Sequence, residues 1–314
     1  MTEIETTDSH ADLLATPELA TTGVGASEDL DPGRKRFETL YFAFHNTKLV
    51  VGLTVVVLLL VAAIVGPWLT DADPFEFGFP LGEPPSSEYW LGTTSSGQDV
   101  YAQFVYGLRA SFIVGSIAAC VAGALGMTIG FVGGYVGGII DDILSMLTNI
   151  VLVIPTLAVL IIVAAYLSVG SLLSEAVLIG LTSWPWAARA IRAQTFSLAS
   201  RDFVNLARLS GRGSLRVIVN EIAPNMSSYL FLTFILLFGG AVLTAATLDF
   251  LGLGPSQVMS LGLMMNTAVS NAALQLGMWW WFIPPGLAIT AIVGGLYVMN
   301  VGLDEVFNPR LRET

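Results

Sequence analysis

Residues 205–225 read NLARLSGRGSLRVIVNEIAPN, a positively charged segment between two long apolar stretches. Apolar residues recur at helical spacing on both sides of Gly211 and Gly213, which predicts two short helices separated by a glycine turn. The predicted apolar faces are Phe203, Val204 and Ala207 before the turn, and Leu215, Val217, Ile218 and Ile222 after it. We therefore predict a helix–turn–helix hairpin over residues 203–224.

The composition indicates that the rest of the chain lies mostly in lipid. Of its 314 residues, 54% are hydrophobic and only 12% are charged, whereas soluble domains carry about 25% charged residues. Because about 20 apolar residues cross the hydrocarbon core, the sequence predicts an all-α membrane protein with six transmembrane helices. The predicted spans are 49–69, 110–140, 143–174, 173–188, 226–248 and 279–302, with a loop at about 249–278. The fourth is the least apolar, since it begins with Glu175 and ends with WPW.

The distribution of basic residues predicts the orientation. With six spans, both termini and the loops at 134–141 and 189–225 share one side, which then holds twelve of the thirteen Lys and Arg residues. The other side holds only Arg109, beside the acidic segment 70–108. Basic loops are retained in the cytoplasm. We therefore predict a multi-pass plasma-membrane protein with a cytoplasmic hairpin and cytoplasmic N- and C-termini.

The residues present exclude several kinds of chemistry. Cys120 is the one cysteine, and His10 and His45 precede the first span, so we expect no disulfide and no thiolate or histidine metal site in the membrane. Neither Lys35 nor Lys48 is followed by Ser or Thr, so the phosphate-binding P-loop is absent. We therefore expect a chain without catalytic residues, which is not an enzyme.

Ionisable residues near the apolar stretches all fall at predicted span ends: they are Asp141, Asp142, Glu175, Asp249 and Asp304. Transporters driven by protons or voltage place such groups within the membrane. We therefore expect the energy for transport to come from outside this chain, although sodium coupling through backbone carbonyls remains open.

Small and aromatic residues predict how the spans pack. The spacings Gly126–x–x–x–Gly130 and Gly134–x–x–x–Gly138 are typical of helices that approach each other closely. Three tryptophans, 279–281, begin the predicted sixth span. We interpret them as an aromatic belt at the membrane interface rather than as a substrate cage.

The residues of the hairpin leave two interpretations open. An ordered amphipathic element suits docking into a groove of another protein. The alternative is an interfacial helix held by anionic lipid headgroups.

The hairpin resembles the cytoplasmic signature loop of binding-protein-dependent ABC importer permeases. That pattern reads Glu–Ala–Ala, three residues, Gly, nine residues and Ile–x–Leu–Pro. Ala207, Gly211 and Pro224 stand at its spacing, and Ile222 occupies the isoleucine region. The departures are Asn205 for Glu, Leu206 for Ala and Ala223 for Leu.

Further stretches resemble the dipeptide/oligopeptide/nickel branch of these permeases, in its C-type membrane subunit. LGTTSSGQDVYAQFVYGLRASF at 91–112 is similar to a branch motif in which Thr94, Gln98 and Gln103 replace an Asp and two Arg. The other matching stretches are GGYVGGIIDDIL at 133–144, LDFLGLGPS at 248–256 and FNPRLR at 307–312. The resemblance covers about residues 40–312.

This resemblance implies a type I importer subunit with one extra N-terminal span before a five-helix core. The implied partners are a B-type permease subunit, two cytoplasmic ATPases, an extracellular solute-binding protein and membrane lipid, but no nucleic acid. The chain itself would bind no cofactor, because ATP and Mg²⁺ belong to the ATPases. The residues assigned to ATPase contact are Asn205, Ala207, Arg208, Gly211, Arg212, Arg216, Ile222 and Pro224.

Four regions are expected along the chain. They are an acidic disordered cytoplasmic tail at 1–36, an N-terminal permease region with the first span and an extracellular segment at 37–109, the permease core at 110–305 and a C-terminal cytoplasmic tail at 306–314. Two rival functions are a secondary transporter or channel that works alone, and a membrane scaffold that does not transport.

Overall fold

The computed structural model describes residues 42, 44–167 and 170–307; the predicted tail 1–36 and residues 308–314 lie outside them. The described residues form helices and no strand. The α-helices in this part of the chain are α1 Thr47–Val65, α2 Val100–Val136, α3 Gly138–Val153, α4 Thr156–Leu167, α5 Leu172–Ala199, α6 Asp202–Leu209, α7 Ser214–Val217, α8 Ala223–Asn225, α9 Ser227–Phe250, α10 Leu261–Ser270 and α11 Trp279–Phe307.

Two non-membrane segments define the ends of the helix bundle. We call residues 70–99, between α1 and α2, the cap, and residues 202–225, between α5 and α9, the hairpin. At one end of α11, Trp280 donates a hydrogen bond to the cap, and at the other end Glu305 pairs with Lys48 at the start of α1. The bundle therefore has a cap end and a hairpin end.

Over residues 47–167 and 170–307, the chain runs from one of these ends to the other six times. Helices α2 and α5 run parallel, because Gly180 lies against Val121 near the cap end and Gly134 lies against Arg192 near the hairpin end. The chain must therefore return from the hairpin end through α3 and α4 before α5 begins. Helices α1, α9 and α11 supply the remaining crossings.

Length and apolar composition support this arrangement. Among the described residues, four helices are long and apolar enough to cross a membrane: Thr47–Trp68, α2, α9 and α11. The pair α3 and α4 meets the same criteria as one broken span. The predicted fourth span lies within α5, whose 28 residues reach about 42 Å at 1.5 Å per residue. The predicted all-helical membrane fold is confirmed.

The predicted third span is not one continuous helix. Helices α3 and α4 meet at an angle of 78°. The break falls before Pro155, which lacks an N–H and disfavours helical geometry in the residue that precedes it. Ile154 is accordingly extended, with ψ of 127°.

Two helix starts also differ from prediction, and a capping side chain explains each. Helix α2 begins ten residues before Ala110, because Asp99 accepts hydrogen bonds from the amides of Tyr101 and Ala102. The expected boundary at 109/110 therefore lies inside a helix. Within the predicted loop 249–278, Ser260 caps the additional helix α10.

Glycines bring α2 and α5 into backbone contact, as the small-residue spacing predicts. A Cβ atom added at Gly126 would lie 2.9 Å from the Cβ of Ala187, and one at Gly130 would lie 2.9 Å from the carbonyl oxygen of Ala188. At Gly134 the contact is the carbonyl of Arg192, so this glycine packs on α5. A larger side chain at any of these positions would separate the two helices.

The aromatic belt interpretation holds for only one of the three tryptophans. Trp279 is about half exposed, whereas Trp280 and Trp281 are buried in the protein. An indole N–H that leaves water needs an acceptor. Trp280 donates to the carbonyl oxygen of Thr93 in the cap (3.1 Å), and Trp281 donates to Oε1 of Gln103 (3.2 Å). These two side chains attach the cap to the bundle.

Gln103 completes the attachment of the cap through its amide group. Its Nε2 atom donates to the carbonyl oxygen of Pro74 (3.2 Å) and to Oε1 of Gln98 (3.1 Å). The side chain of Gln98 donates in turn to the carbonyl of Phe75 (3.3 Å). Gln103 is buried, and every hydrogen bond in this network joins uncharged groups.

We expect Gly130→Ala to destabilise the protein and Gly294→Ala to leave it intact. The new methyl group at position 130 would press on the α5 backbone, whereas Gly294 has no atom within 4 Å of an added Cβ. Alanine favours a helix over glycine by about 1 kcal/mol. The Gly294→Ala protein should therefore be at least as stable as the unmodified protein. Thermal unfolding of the detergent-solubilised full chain measures both. Equal melting temperatures would contradict the glycine contact.

Candidate functional site

The hairpin has the predicted helix–turn–helix shape. Helix α6 ends in a tight turn at Ser210–Gly213, in which the amide of Gly211 bonds to the carbonyl of Arg208 and the amide of Arg212 bonds to that of Ala207. Gly211 has φ of +74°, a left-handed conformation that glycine adopts at little cost. This glycine therefore permits the reversal between the two arms.

One face of the hairpin is buried against the bundle. Val204 and Ala207 of α6 and Val217, Ile218 and Ile222 of the second arm all belong to the main hydrophobic core. Leu215 was predicted to belong to the same face, but it is 75% exposed. The reason is that α7 is a single turn, and residues two apart on a helix, such as Leu215 and Val217, point in nearly opposite directions.

The second arm passes into α9 through a wide helical turn. Residues Ile218–Ile222 form a π-helical turn, in which the amide of Ala223 bonds to the carbonyl of Ile218. Pro224 has no N–H to donate, and the side chain of Asn225 donates to the carbonyl of Glu221 (2.6 Å). The arm is thus joined to α9 by nearly continuous helix, with Met226 as the single intervening residue.

Two of the predicted contact arginines have partners within the chain. The guanidinium of Arg208 lies 4.6 Å from the ring centroid of Tyr135 and donates to its hydroxyl (3.2 Å), which joins α6 to the end of α2. Arg212 forms an ion pair with Glu221 across the hairpin. These arginines therefore hold the hairpin in shape.

Two further arginines join α5 to α3 beside the hairpin. Arg192 forms an ion pair with Asp141, whose side chain is mostly buried. Arg189 donates to Oδ1 of Asn149 at 2.7 Å. Among the described residues, the exposed side chains of Asn205 and Arg216 have no such polar partner. The sequence alone could not separate the paired arginines from Arg216.

Large apolar side chains project from the opposite face of the hairpin. Leu206, Leu209, Leu215 and Val219 are 64%, 84%, 75% and 54% exposed. We call these four residues the tip patch. Isolated exposed apolar side chains are common, but a group of them on one projecting element is typical of a protein or membrane contact. The signal in the sequence was that Leu206 and Leu209 fall outside the buried helical period.

The structure places the eight predicted site residues in different surroundings. Ala207 and Ile222 are buried, Arg208 and Arg212 bind other residues of the chain, and Asn205 and Arg216 are exposed. Gly211 makes the turn, and exposed Pro224 lies at the start of α8. Across the described residues, no group of three or more His, Cys, Asp or Glu side chains could hold a metal ion.

Comparisons with known proteins agree with this arrangement. Residues 126–313, more than half of the chain, match the family described as binding-protein-dependent transport system inner membrane component. The chain is 32% identical over 286 residues to the dipeptide transport system permease protein DppC of Alkalihalophilus pseudofirmus, covering 90% of this chain and 91% of that protein. It is 30% identical over 276 residues to the di/tripeptide transport system permease protein DppC of Pseudomonas aeruginosa, covering 85% and 90%.

The matched region contains α5, the hairpin, α9 and α11, which are the elements that carry the site. The alternative of a non-transporting scaffold gives no account of such a match. The chain therefore belongs to the family of binding-protein-dependent transport system inner membrane components, and it is an integral membrane subunit of a transport system.

Proposed function

We propose that this chain is the C-type permease subunit of an ATP-driven importer of short peptides. The observation that carries the proposal is the hairpin, which is anchored on one face and presents the tip patch on the other. The names of the two DppC relatives support di- or tripeptides as the class of solute. A B-type permease subunit would complete the translocation path.

The hairpin is suited to receive force from a cytoplasmic ATPase. The tip patch and Arg216 offer apolar contact and positive charge to a groove on that partner. ATP and Mg²⁺ would be bound by the two ATPase subunits. Their closure would displace the hairpin, and a displacement is transmitted only by an element that does not deform.

Contacts of the hairpin indicate where that displacement would go. The second arm continues into α9, and Arg208 holds the first arm to the end of α2 through Tyr135. A movement of the hairpin would thus act on α2, α5 and α9 together. We propose that this movement opens the path alternately at the cap end and at the hairpin end.

The proposal places the two ends of the bundle on opposite sides of the membrane. The hairpin end and both termini would lie in the cytoplasm at the plasma membrane, with the cap outside. The acid-rich cap is fixed by Trp280 and Trp281 and so offers a defined surface. We propose the cap and the segment 249–278 as the surface that receives a solute-binding protein.

The competing function is a secondary transporter or channel that works alone. If our proposal is correct, proteoliposomes that contain only this chain will not accumulate a labelled dipeptide against its gradient, with or without a proton or sodium gradient. Addition of the B-type subunit, the ATPases, the binding protein and ATP should restore uptake. Accumulation by the lone chain would overturn the proposal.

We expect Leu209→Asp to weaken binding of the ATPase. The substitution places a charge at the centre of the tip patch, where burying it against an apolar groove is costly. Leu276→Asp is a matched control, since Leu276 is 61% exposed but lies beyond α10, at the cap end. Co-purification of the ATPases and the melting temperature of the chain are measured for both variants. Normal co-purification of the Leu209 variant would show that the patch is not the docking surface.

We expect Gly211→Val to reduce uptake more than it reduces ATP hydrolysis. A β-branched residue at φ of +74° carries about 1–3 kcal/mol of strain and would deform the turn. Gly213→Val is a close control, because this glycine has φ of −66° and no atom within 4 Å of an added Cβ. Uptake and ATPase rates of the reconstituted complex are compared. If the two variants show the same ratio of uptake to ATP hydrolysis, the turn is not needed to transmit force.

A further inference from the structure

Two carboxylic acids are buried together at the cap end. Glu175 lies in the first turn of α5 and is 1% exposed, and Asp249 lies in the last turn of α9 and is 4% exposed. Both were predicted to lie at span ends. In the structure both are buried, because α5 and α9 pack against each other at this point.

The surroundings of the pair are apolar. The neighbouring cluster is formed by Val114 and Ala118 of α2, Leu160 of α4, Ala176 and Ile179 of α5, and Ala245 and Leu248 of α9. Among the described residues, one further polar side chain bonds to the pair: the hydroxyl of Ser260 bonds to Asp249, and Ser260 also caps α10. A carboxylate transferred into such a pocket loses its hydration and gains little in return.

No basic residue that the structure describes compensates the two acids. In the described part of the chain, the one charged group that acts on Glu175 is Asp249. Arg109, the base on the outer part of α2, lines a separate groove with Leu172 and Gln257. Two ionised carboxylates in contact would repel each other, and the absence of a cation leaves that repulsion uncompensated.

The described residues also leave the carboxyl group of Glu175 without a hydrogen-bond donor. Neither carboxyl oxygen of Glu175 receives a hydrogen bond from any described N–H or O–H group, although both are inaccessible to solvent. Their neighbour is the carboxyl of Asp249, which offers only acceptors when ionised. The group missing from this arrangement is a single donor hydrogen between the two side chains.

Asp249 cannot turn away from this contact. A Cβ atom added at Gly254 would lie 1.6 Å from its Oδ1 atom, and one added at Gly262 would lie 2.6 Å from its Cβ. Both positions must therefore be glycine for the carboxyl to fit. The chain after α9 thus holds the acid in a fixed position facing α5.

We propose that Glu175 and Asp249 together bind one proton and that this proton fastens α5 to α9 at the cap end. One carboxylic acid donates its O–H to the other carboxylate, so the pair carries one negative charge instead of two. Ser260 extends the link to α10. The proposal does not depend on ATPase docking, because it concerns the opposite end of the bundle.

The proton makes the stability of the fold depend on pH. Free carboxyl groups in an unfolded chain are ionised at neutral pH, so the folded protein binds one proton more than the unfolded chain. Stability is then greatest in acid. As the pH rises above the pKa of free carboxyl groups, the folding equilibrium constant should fall by about tenfold per pH unit, and the decline should level off above the pH at which the folded pair releases its proton.

The test compares Glu175→Gln with the unmodified full chain in detergent between pH 5 and pH 10. Glutamine supplies a permanent N–H donor to Asp249 and does not titrate, so the melting temperature of this variant should lack the decline that begins at about pH 5. Asp142→Asn, which removes an exposed carboxylate, should keep the profile of the unmodified chain. Identical profiles for Glu175→Gln and the unmodified chain would overturn the proposal.

Infrared spectroscopy of the unmodified chain provides a second readout, which does not require the variant to fold. The carbonyl band of a protonated carboxylic acid, shifted by D₂O, should be present at neutral pH and disappear at the pH where the decline in stability levels off. Absence of this band at neutral pH would overturn the proposal. A melting temperature that responds to NaCl but not to pH would also overturn it and assign the pair to a metal cation.

Discussion

Backbone contact between α2 and α5 is the constraint on which the rest of the structure depends. Apolar side chains do not drive helices together in lipid, so close van der Waals contact must do so. Gly126, Gly130 and Gly134 provide that contact along the hairpin half of α2. The ion pair of Arg192 with Asp141 then adds α3 to the same unit. The hairpin therefore begins from a rigid base.

Some residues of the hairpin attach it to the bundle, and others are exposed on its opposite face. Apolar residues at the core-facing positions hold it to the bundle, and the tip patch is left exposed because it lies on the other face. Its arginines are divided in the same way: Arg208 and Arg212 are used internally, whereas Arg216 is available. Positive charge in this loop therefore contributes to the folding of the hairpin.

The sequence predicted those features that depend on a residue and its near neighbours along the chain. The apolar stretches predicted the crossings, and Gly211 predicted the turn because few other residues adopt its conformation. The break at Pro155 and the cap at Asp99 also have local causes, but the strength of each depends on its surroundings. Pro155 and Asp99 both mark their boundaries in the sequence, because a proline disfavours helix in the residue before it and an aspartate favours a helix start.

Features that depend on distant neighbours could not be predicted in this way. The burial of Glu175 and Asp249 requires α5 and α9 to meet, and the burial of Trp281 requires Gln103 on another helix. Hydropathy reports the average environment of a segment and not the partner of a side chain. The same holds for Leu215, whose exposure follows from the shortness of α7.

The uncharged attachment of the cap has a consequence for its sensitivity to dissolved salt. Trp280, Trp281, Gln98 and Gln103 hold the cap through dipoles rather than through ion pairs. Dissolved ions screen exposed charges that lie more than about 10 Å apart at ordinary ionic strength, but they scarcely affect buried neutral hydrogen bonds. The cap should thus keep its shape in brine as well as in fresh water.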